Sequence, residues 1–492
     1  MYTSSRKHPK TKYLEKRKFI SILQQLLQNS SIQAVSKIGT SPNPFLKIIW
    51  MLILVGGLMV SFYQAFRFLN VFLQYPILVT LQIDQKQFLD FPAVTVCNLN
   101  RIKKKYLQCL NSNISVGLCD VHGFLPKDNA KPNLVMSERT GLHSCTSEFR
   151  GSSDAEKDNT IQFLKIYSAL NSKERKKAGY KSEEFIKLCS FNGKSCSAED
   201  FTEFHNLRYG NCFTFNKFYQ NKSKPLTISQ SGDQSGLVLV LDLLYLYYLN
   251  ISSTIGARII IHDPKAGPSP EETGINIAAG YETSLALTQT VITRLPAPYR
   301  DHCSEYKNEN IWPYHESLNK CVRNCIQDNS FEVCGCADPT LPSMTSQNLC
   351  NLTDKSEMCC LDDIFLLLLE GNRTCDCPLP CSTIRYGEKV SVARWPSASS
   401  FFTGEAKNTY YPTNFRYFRR SQAKLKIFYS SLTQKNYVQR PMFHESEIYS
   451  HLGGDLGIWL GMSLMVTFEI FETVCLLVKL LINFLLRCSS NE

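Results

Sequence analysis

The sequence predicts a membrane protein in which two transmembrane helices flank a large, disulfide-rich α+β extracellular domain. Three observations carry this prediction: two long apolar windows, a basic segment ahead of the first, and cysteines crowded between them. The first window, "FLKIIWMLILVGGLMVSFYQAF" from Phe45 to Phe66, has one lysine at its entrance. The second, "LGIWLGMSLMVTFEIFETVCLLVKLLINFLL", runs from Leu456 to Leu486. At about 1.5 Å per residue either can cross a hydrocarbon layer of roughly 30 Å. Forty-four residues precede the first window and no small-residue cleavage site follows it, so it reads as a span and not as a signal peptide.

Residues 1–44 carry eight Lys or Arg against one Glu. The positive-inside bias therefore puts the N-terminus in the cytosol, and two spans return the C-terminus there. The expected order is a cytosolic segment 1–44, a first span 45–68, an extracellular domain 69–449, a second span with its approach 450–486, and a cytosolic tail 487–492. Much of the +11 net charge lies in the first segment, where lipid headgroups are its partner and no nucleic acid is implied.

Eighteen of the twenty cysteines, Cys97 through Cys381, fall in the predicted outside region, which reads as a disulfide framework in an oxidising compartment. Cys334-Gly-Cys336 and Cys375-Asp-Cys377 are spaced too tightly for the usual zinc ligand pairs, so no metal and no cofactor is expected. Asn113, Asn221, Asn250, Asn351 and Asn372 head glycosylation triplets outside, and Asn29 does so inside.

Strand signals occur at "YPILVTLQI", "FPAVTVCNLN", "GNCFTFNKF", "GLVLVLDLLYLYYL", "GARIIIH", "GEKVSVARWP" and "AKLKIFYSSL". Helical patterns occur at "NTIQFLKIYSAL" and "NIWPYHESLNKCVRNCIQ", the second among eleven cysteines between Cys303 and Cys381. The segment "HDPKAGPSPEETG" reads as a solvent loop. The chain has no phosphate loop, nucleophile elbow, zinc-protease helix or dinucleotide fingerprint, so nothing points to an enzyme.

The second window holds Gly461, Met462, Ser463, Glu469 and Glu472. Intramembrane carboxylates are costly and mark bundle interiors or water-filled paths. Glu469 and Glu472, three apart, share a helix face, whereas Ser463 lies some 120° away on an unbroken helix. A pore face containing both requires a break, a rotation or a strong tilt, and Gly461 makes a break cheap. Helix packing is the competing reading of Gly457, Gly461 and Ser463. A two-span chain cannot enclose a polar path alone, so a pore requires an oligomer, with carbonyl and hydroxyl rings for a cation and a carboxylate ring that excludes anions. Lys479 is placed to snorkel to headgroups.

With these motifs in order, the chain resembles the degenerin, epithelial sodium channel and acid-sensing channel family. "FPAVTVCNLN", "YGNCFTFN", "GARIIIHDP", "RLPAPYRDHC", "CVRNCIQDNSFEVCGC", "CDCPLPCSTIRYG", "ARWPS" and "LGGDLGIWLGMSLMVTFEIFE" carry the resemblance over nearly the whole length. It implies a trimer of this chain or of paralogous subunits in the plasma membrane, permeable to Na+ and blocked by amiloride. It also implies an extracellular domain of palm, knuckle, finger, β-ball and thumb. Carried over by position, Gly461-Met462-Ser463 becomes the selectivity filter and Glu469 and Glu472 the acids below it. Ser450 and His451 fall at gating positions outside the filter, and Tyr75 and Tyr299 at the wrist contact. The implied disulfides are Cys97–Cys212, Cys189–Cys196, Cys303–Cys381, Cys321–Cys377, Cys325–Cys375, Cys336–Cys350, and Cys334 with Cys359 or Cys360. Cys109, Cys119, Cys145 and the spare member of the adjacent pair are left over.

One departure stands out, because the family's cytosolic His-Gly gating motif is replaced here by Gln33-Ala34. It implies a low open probability or a need for a partner subunit. The family opens to peptides, protons or force, or is constitutively open. Glu183-Glu184, Glu271-Glu272 and Asp362-Asp363 are the adjacent acid pairs that proton sensing would draw on. An accessory subunit and a non-conducting disulfide-rich receptor are the alternatives.

Overall fold

The structure is a computed structural model that describes residues 25, 28–106, 167, 170–206, 208–217, 225–249, 252, 254–306, 317–339, 341, 348–351, 354–403 and 412–489. Cys109, Cys119, Cys145, Asn113, Asn221, Asn250 and nearly all of "NTIQFLKIYSAL" lie outside the described residues. The chain falls into two units, one of Met1–Leu78, Pro298–Arg300 and Arg440–Glu492, the other of Val79–Ala297 and Asp301–Gln439.

In chain order the elements begin with helices α1 (Gln33–Thr40) and α2 (Pro44–Phe72) and strands β1 (Ile77–Gln85), β2 (Leu89–Asp90) and β3 (Ala93–Asn98). Short helices α3 (Ser172–Ala178) and α4 (Ser182–Phe185) precede β4 (Ile186–Phe191), β5 (Lys194–Cys196), β6 (Phe201–Asn206) and β7 (Gly210–Phe215). Then come β8 (Thr227–Ile228), β9 (Leu237–Asp242), β10 (Gly256–His262), β11 (Ile275–Ala278) and β12 (Tyr281–Thr293). Helices α5 (Leu318–Cys334) and α6 (Lys355–Leu369) follow, then β13 (Ser382–Arg394), α7 (Ala398–Thr403), α8 (Pro412–Ser421) and β14 (Gln422–Pro441). The last helices are α9 (Glu445–Leu460) and α10 (Leu464–Ser489).

The second unit is built on two sheets. The larger has the order β13-β12-β14-β9-β4-β5 with β1 added to β14, and the smaller has the order β11-β10-β3-β7-β6. β12 and β14 run parallel, and between Leu287 and Gln289 the register jumps so that Tyr429 and Gln434 become the successive partners on β14. Four residues, Ser430 to Thr433, are therefore spent against Thr288, which bends β14 between an upper half beside β9 and a lower half beside β1. Leu237, Leu239 and Leu241 of β9, Leu425 and Ile427 of β14, and Leu285 and Leu287 of β12 are fully buried. With Val94 and Val96 of β3 and Phe213 and Phe215 of β7 they form one core, as alternating strand positions should.

The apolar run "GLVLVLDLLYLYYL" is not one strand, because β9 stops at Asp242. The Asp242 carboxylate accepts hydrogen bonds from Leu244 N–H at 3.1 Å and from the Ser421 hydroxyl, and Leu244 turns to a positive φ of 50°. A side-chain acceptor aimed at the backbone two residues on is what ends the strand, a signal that hydrophobicity does not carry. Helix α5 starts at its Ser317 cap and ends at Gly335, whose φ is 72°. Disulfides Cys321–Cys377 and Cys325–Cys375 tie α5 to the segment before β13, and Cys334–Cys360 ties it to α6.

In the first unit, α2 is 29 residues long with mean hydropathy 2.2 in its best window, and 6% of that window is buried. It runs past the expected boundary at residue 68 to Phe72, and α9 starts at Glu445, five residues before the expected boundary.

His262, the last residue of β10, is half-buried between sheet and loop. Its Nε2 lies 2.9 Å from Thr95 Oγ1, which in turn lies 2.8 Å from Thr214 Oγ1. Burial lowers its pKa from 6.5 to about 4, helped by the Lys217 cation and opposed by the hydrogen bond to the Asp263 carbonyl. Because the folded pKa is depressed, the stabilisation is fully present above the ordinary value and lost as pH falls through the folded one. In thermal unfolding of the detergent-solubilised protein between pH 7 and pH 4.5, His262→Gln is expected to lose less melting temperature than the wild type; equal slopes would refute this assignment.

Candidate functional site

One face of α2, with residues spaced like successive helical turns, meets α9. A Cβ on Gly57 would lie 2.9 Å from the Trp459 carbonyl oxygen and 3.4 Å from Leu460 Cδ2, so only glycine permits this approach of the two backbones. One turn further, Ser61 is buried, and Gln64 Oε1 accepts a hydrogen bond from Trp459 Nε1 at 2.8 Å. A turn beyond that, Phe68 stacks on the His451 ring at a centroid distance of 4.4 Å, with Phe443 edge-on to Phe68 at 5.4 Å. Tyr75, held at a positive φ of 47°, meets Tyr299 edge-on at 5.7 Å. Ser450 precedes His451 on α9 and is exposed.

The second apolar window is interrupted at the Gly-Met-Ser triplet. Gly461 takes a left-handed conformation, φ 63° and ψ 25°, and its N–H closes the last turn of α9 on the Gly457 carbonyl at 3.0 Å. Met462 N–H reaches back to the Leu456 carbonyl at 3.2 Å, and α10 restarts at Leu464 with Val466 N–H on the Ser463 carbonyl at 3.0 Å. Gly461 has open space where a Cβ would go, so its backbone angle rather than crowding makes glycine suitable. The final carbonyls of a helix lack intrahelical partners. The interruption thus brings the backbone carbonyl oxygens of the triplet and the Ser463 side chain to one short stretch, groups of the kind that can replace a cation's hydration shell.

Glu469 and Glu472 lie on α10, both exposed. Glu469 accepts hydrogen bonds from Ser31, whose hydroxyl lies 2.5 Å from Oε1 and whose N–H lies 3.3 Å from Oε2. Ser31 precedes α1, of which Gln33 and Ala34 are the first two residues. Sequence reasoning singled out Gln33-Ala34 and Glu469 separately and missed Ser31, which no local pattern marks.

In the second unit the structure sets cations against two of the three adjacent acid pairs. Glu184 pairs with Lys103 at 2.7 Å; burial would raise its pKa, but the hydrogen bonds from Lys103 and the Lys181 backbone outweigh it and lower the pKa. Arg323 of α5 faces Glu271 at 3.8 Å and Glu272 at 3.7 Å and donates to Ser269 Oγ at 3.0 Å. Burial raises the Glu272 pKa, with Glu271 adding to it and Arg323 opposing it. Asp362 and Asp363 lie on α6. Among the described residues no three carboxylates come within 4.8 Å of one another.

The described cysteines form the bonds Cys97–Cys212, Cys189–Cys196, Cys303–Cys381, Cys321–Cys377, Cys325–Cys375, Cys334–Cys360 and Cys336–Cys350. Cys359 is disulfide-bonded as well, and Cys475 on α10 is a free thiol. Glu357 approaches Cys336 and Cys350, but the bond between those sulfurs leaves no thiolate for a metal. Of the glycosylation triplets in the outside region, Asn351 and Asn372 are described and both are exposed.

The family model for amiloride-sensitive sodium channels matches residues 26–473, which takes in α1, both sheets, the helix interruption and Glu472. The chain belongs to the amiloride-sensitive sodium channel family. It is similar to the FMRFamide-activated amiloride-sensitive sodium channel of Cornu aspersum, 23% identical over 97% of this chain and 87% of that one. Acid-sensing ion channel 4-B of Danio rerio is 26% identical over 96% of this chain and 78% of its own, and epithelial sodium channel subunit gamma of Rattus norvegicus is 25% identical over 90% and 80%. The protein is therefore a sodium channel subunit of the plasma membrane with a disulfide-rich, β-rich extracellular domain, and not an enzyme.

In such a channel subunit the contact at Gly57 is testable against its neighbour, because a Cβ on Gly56 meets nothing within 4 Å. Gly57→Ala is expected to destabilise the solubilised protein by about 1–3 kcal/mol, as overpacking does, while Gly56→Ala leaves the melting temperature unchanged or raises it. Equal melting temperatures for the two variants would contradict the packing described.

Proposed function

We propose that this chain is a pore-forming subunit of a trimeric, sodium-selective, amiloride-blocked channel gated through its extracellular domain. In this reading α2 is the first span, α9 and α10 together make the second, and both termini are cytosolic. The extracellular domain takes the palm, knuckle, finger, β-ball and thumb arrangement. The observation that carries the proposal is the interruption of an apolar helix at Gly461-Met462-Ser463, above Glu469 and Glu472 in the chain. Three such interruptions around an axis make a ring of carbonyl and hydroxyl oxygens that selects a cation, and the Met462 side chain is not needed for it. The carboxylates beyond it raise local cation concentration and repel anions. Ser450, His451, Tyr75 and Tyr299 act in gating: His451 is held by Phe68, Tyr75 and Tyr299 meet where α2 leads into β1, and Ser450 is the neighbour of His451 on α9.

For the stimulus, an extracellular peptide is favoured over protons. The Arg323 guanidinium faces both carboxylates of the Glu271-Glu272 pair and opposes the rise in the Glu272 pKa. The similar channel from Cornu aspersum is described as FMRFamide-activated, which supports the same choice.

Voltage clamp of cells expressing the chain, with acid steps and amidated peptides applied with and without amiloride, tests the proposal. The expected result is an amiloride-blocked inward Na+ current evoked by peptide, with Ser463→Leu abolishing it or changing its sodium-to-potassium permeability ratio. A current indifferent to Ser463 and Glu469 would assign the pore to another protein.

An accessory role has one observation in its favour, the Gln33-Ala34 pair. Ala34 sits inside α1 with ordinary helical angles, so the alanine costs nothing locally and glycine there would lose roughly 0.8–1 kcal/mol of helix propensity. Restoring His-Gly with Gln33→His and Ala34→Gly is expected to raise surface-normalised current; no change would leave the pair without a gating role.

A further inference from the structure

Ser31 is not one of the residues to which the family resemblance assigns a part, yet among the described residues of the first unit it makes the bond of longest sequence separation, 438 residues, to a carboxylate on the pore helix. We infer that Ser31 is a positioning residue for Glu469: through its hydroxyl and amide it fixes the carboxylate that cations meet below the filter, and so sets Na+ flux from the cytosolic side. The inference rests on the pore reading for its effect on current, though not for the contact itself.

The contact is a built one. Two donors of one residue meet the two oxygens of one carboxylate, at 2.5 Å and 3.3 Å, so both the distance and the rotation of the carboxylate are set. The turn that presents Ser31 is itself held. Ser30 Oγ accepts from Ile32 N–H at 3.3 Å, Ser36 Oγ donates to the Gln28 carbonyl at 3.1 Å, and Gln28 Nε2 donates to the Gly39 carbonyl at 3.2 Å. These bonds fold the segment before α1 back along α1. The chain then leads from Thr40 through three residues into α2. Ser31 therefore ties α10 to the α1–α2 hairpin, and an element that shifts α1 would carry the Glu469 carboxylate with it. Glu472, three residues on, makes no hydrogen bond or ion pair among the described residues, so the two acids of the pore helix are unequal: one is held and one is free.

A hydroxyl at this position also fixes the sign of what substitution does. Threonine keeps the donor, alanine removes it, and aspartate replaces it with a like charge beside the carboxylate. With surface density normalised by biotinylation, Ser31→Thr is expected to conduct as the wild type does. Ser31→Ala is expected to carry about fivefold less Na+ current, the scale of one lost hydrogen bond at an exposed site, and Ser31→Asp less still. In a Glu469→Ala background, Ser31→Ala should have no further effect. An equal loss in both backgrounds, or none in either, overturns the inference.

A second measurement needs no current. Ser31→Cys in permeabilised cells, labelled with a charged methanethiosulfonate and read by gel shift, should react about fivefold faster when Glu469 is also changed to Ala, because the carboxylate both covers the thiol and disfavours its thiolate. Equal rates overturn the contact. A wild type without current, together with Ser31→Cys labelling that still depends on Glu469, would sink the pore reading and keep the contact.

Discussion

A helix crossing an apolar layer must satisfy its own backbone, and the rest of this molecule's functional architecture depends on the one place where the chain stops doing so. Gly461 turns left-handed, the ladder of α9 closes on Gly457 and Leu456, and α10 begins three residues later. An unbroken helix would point Ser463 and Glu469 to different faces. The interruption frees α10 from the phase of α9, so the oxygens of Gly461-Met462-Ser463 and the face of Glu469 and Glu472 need not share one helical register. It also leaves carbonyl oxygens without the intrahelical donors that a continuous helix would have supplied.

Such a break costs stability, and the surrounding contacts supply it. Gly57 lets α2 approach the Trp459 backbone, Trp459 bonds Gln64, and Phe68 holds His451. On the other side of the break Ser31 holds Glu469. The clasps lie before and after the interruption in the chain, and among the described residues no atom lies within 4 Å of a Cβ built on Gly461.

The second unit solves a different problem. Its helices α5 and α6 are mostly half-buried, and bonds from Cys321, Cys325 and Cys334 pin them in place. The sheets carry the core, with β14 parallel to β12 and antiparallel to β9. Arg323 then joins α5 to the loop between β10 and β11 through Ser269, Glu271 and Glu272. A guanidinium facing two carboxylates joins that helix to the loop by charge where apolar packing does not.

The sequence by itself determined the apolar windows, the cysteine-rich region between them, the strands with clean alternation such as the first half of β14, and the Gly-Met-Ser triplet with two acids after it. These are properties of residue type and short spacing, and period and composition report them directly. Family resemblance, not spacing, supplied the disulfide pairs, and it left Cys334 undecided between two adjacent partners that local sequence cannot tell apart; the structure bonds it to Cys360. Only the tertiary structure decided that β9 ends at Asp242, that Arg323 occupies an acid pair, that Phe68 meets His451, and that Ser31 reaches Glu469. Each of those depends on side chains brought together from distant parts of the chain, and a hydrogen bond across 438 residues leaves no periodic trace in either segment that makes it.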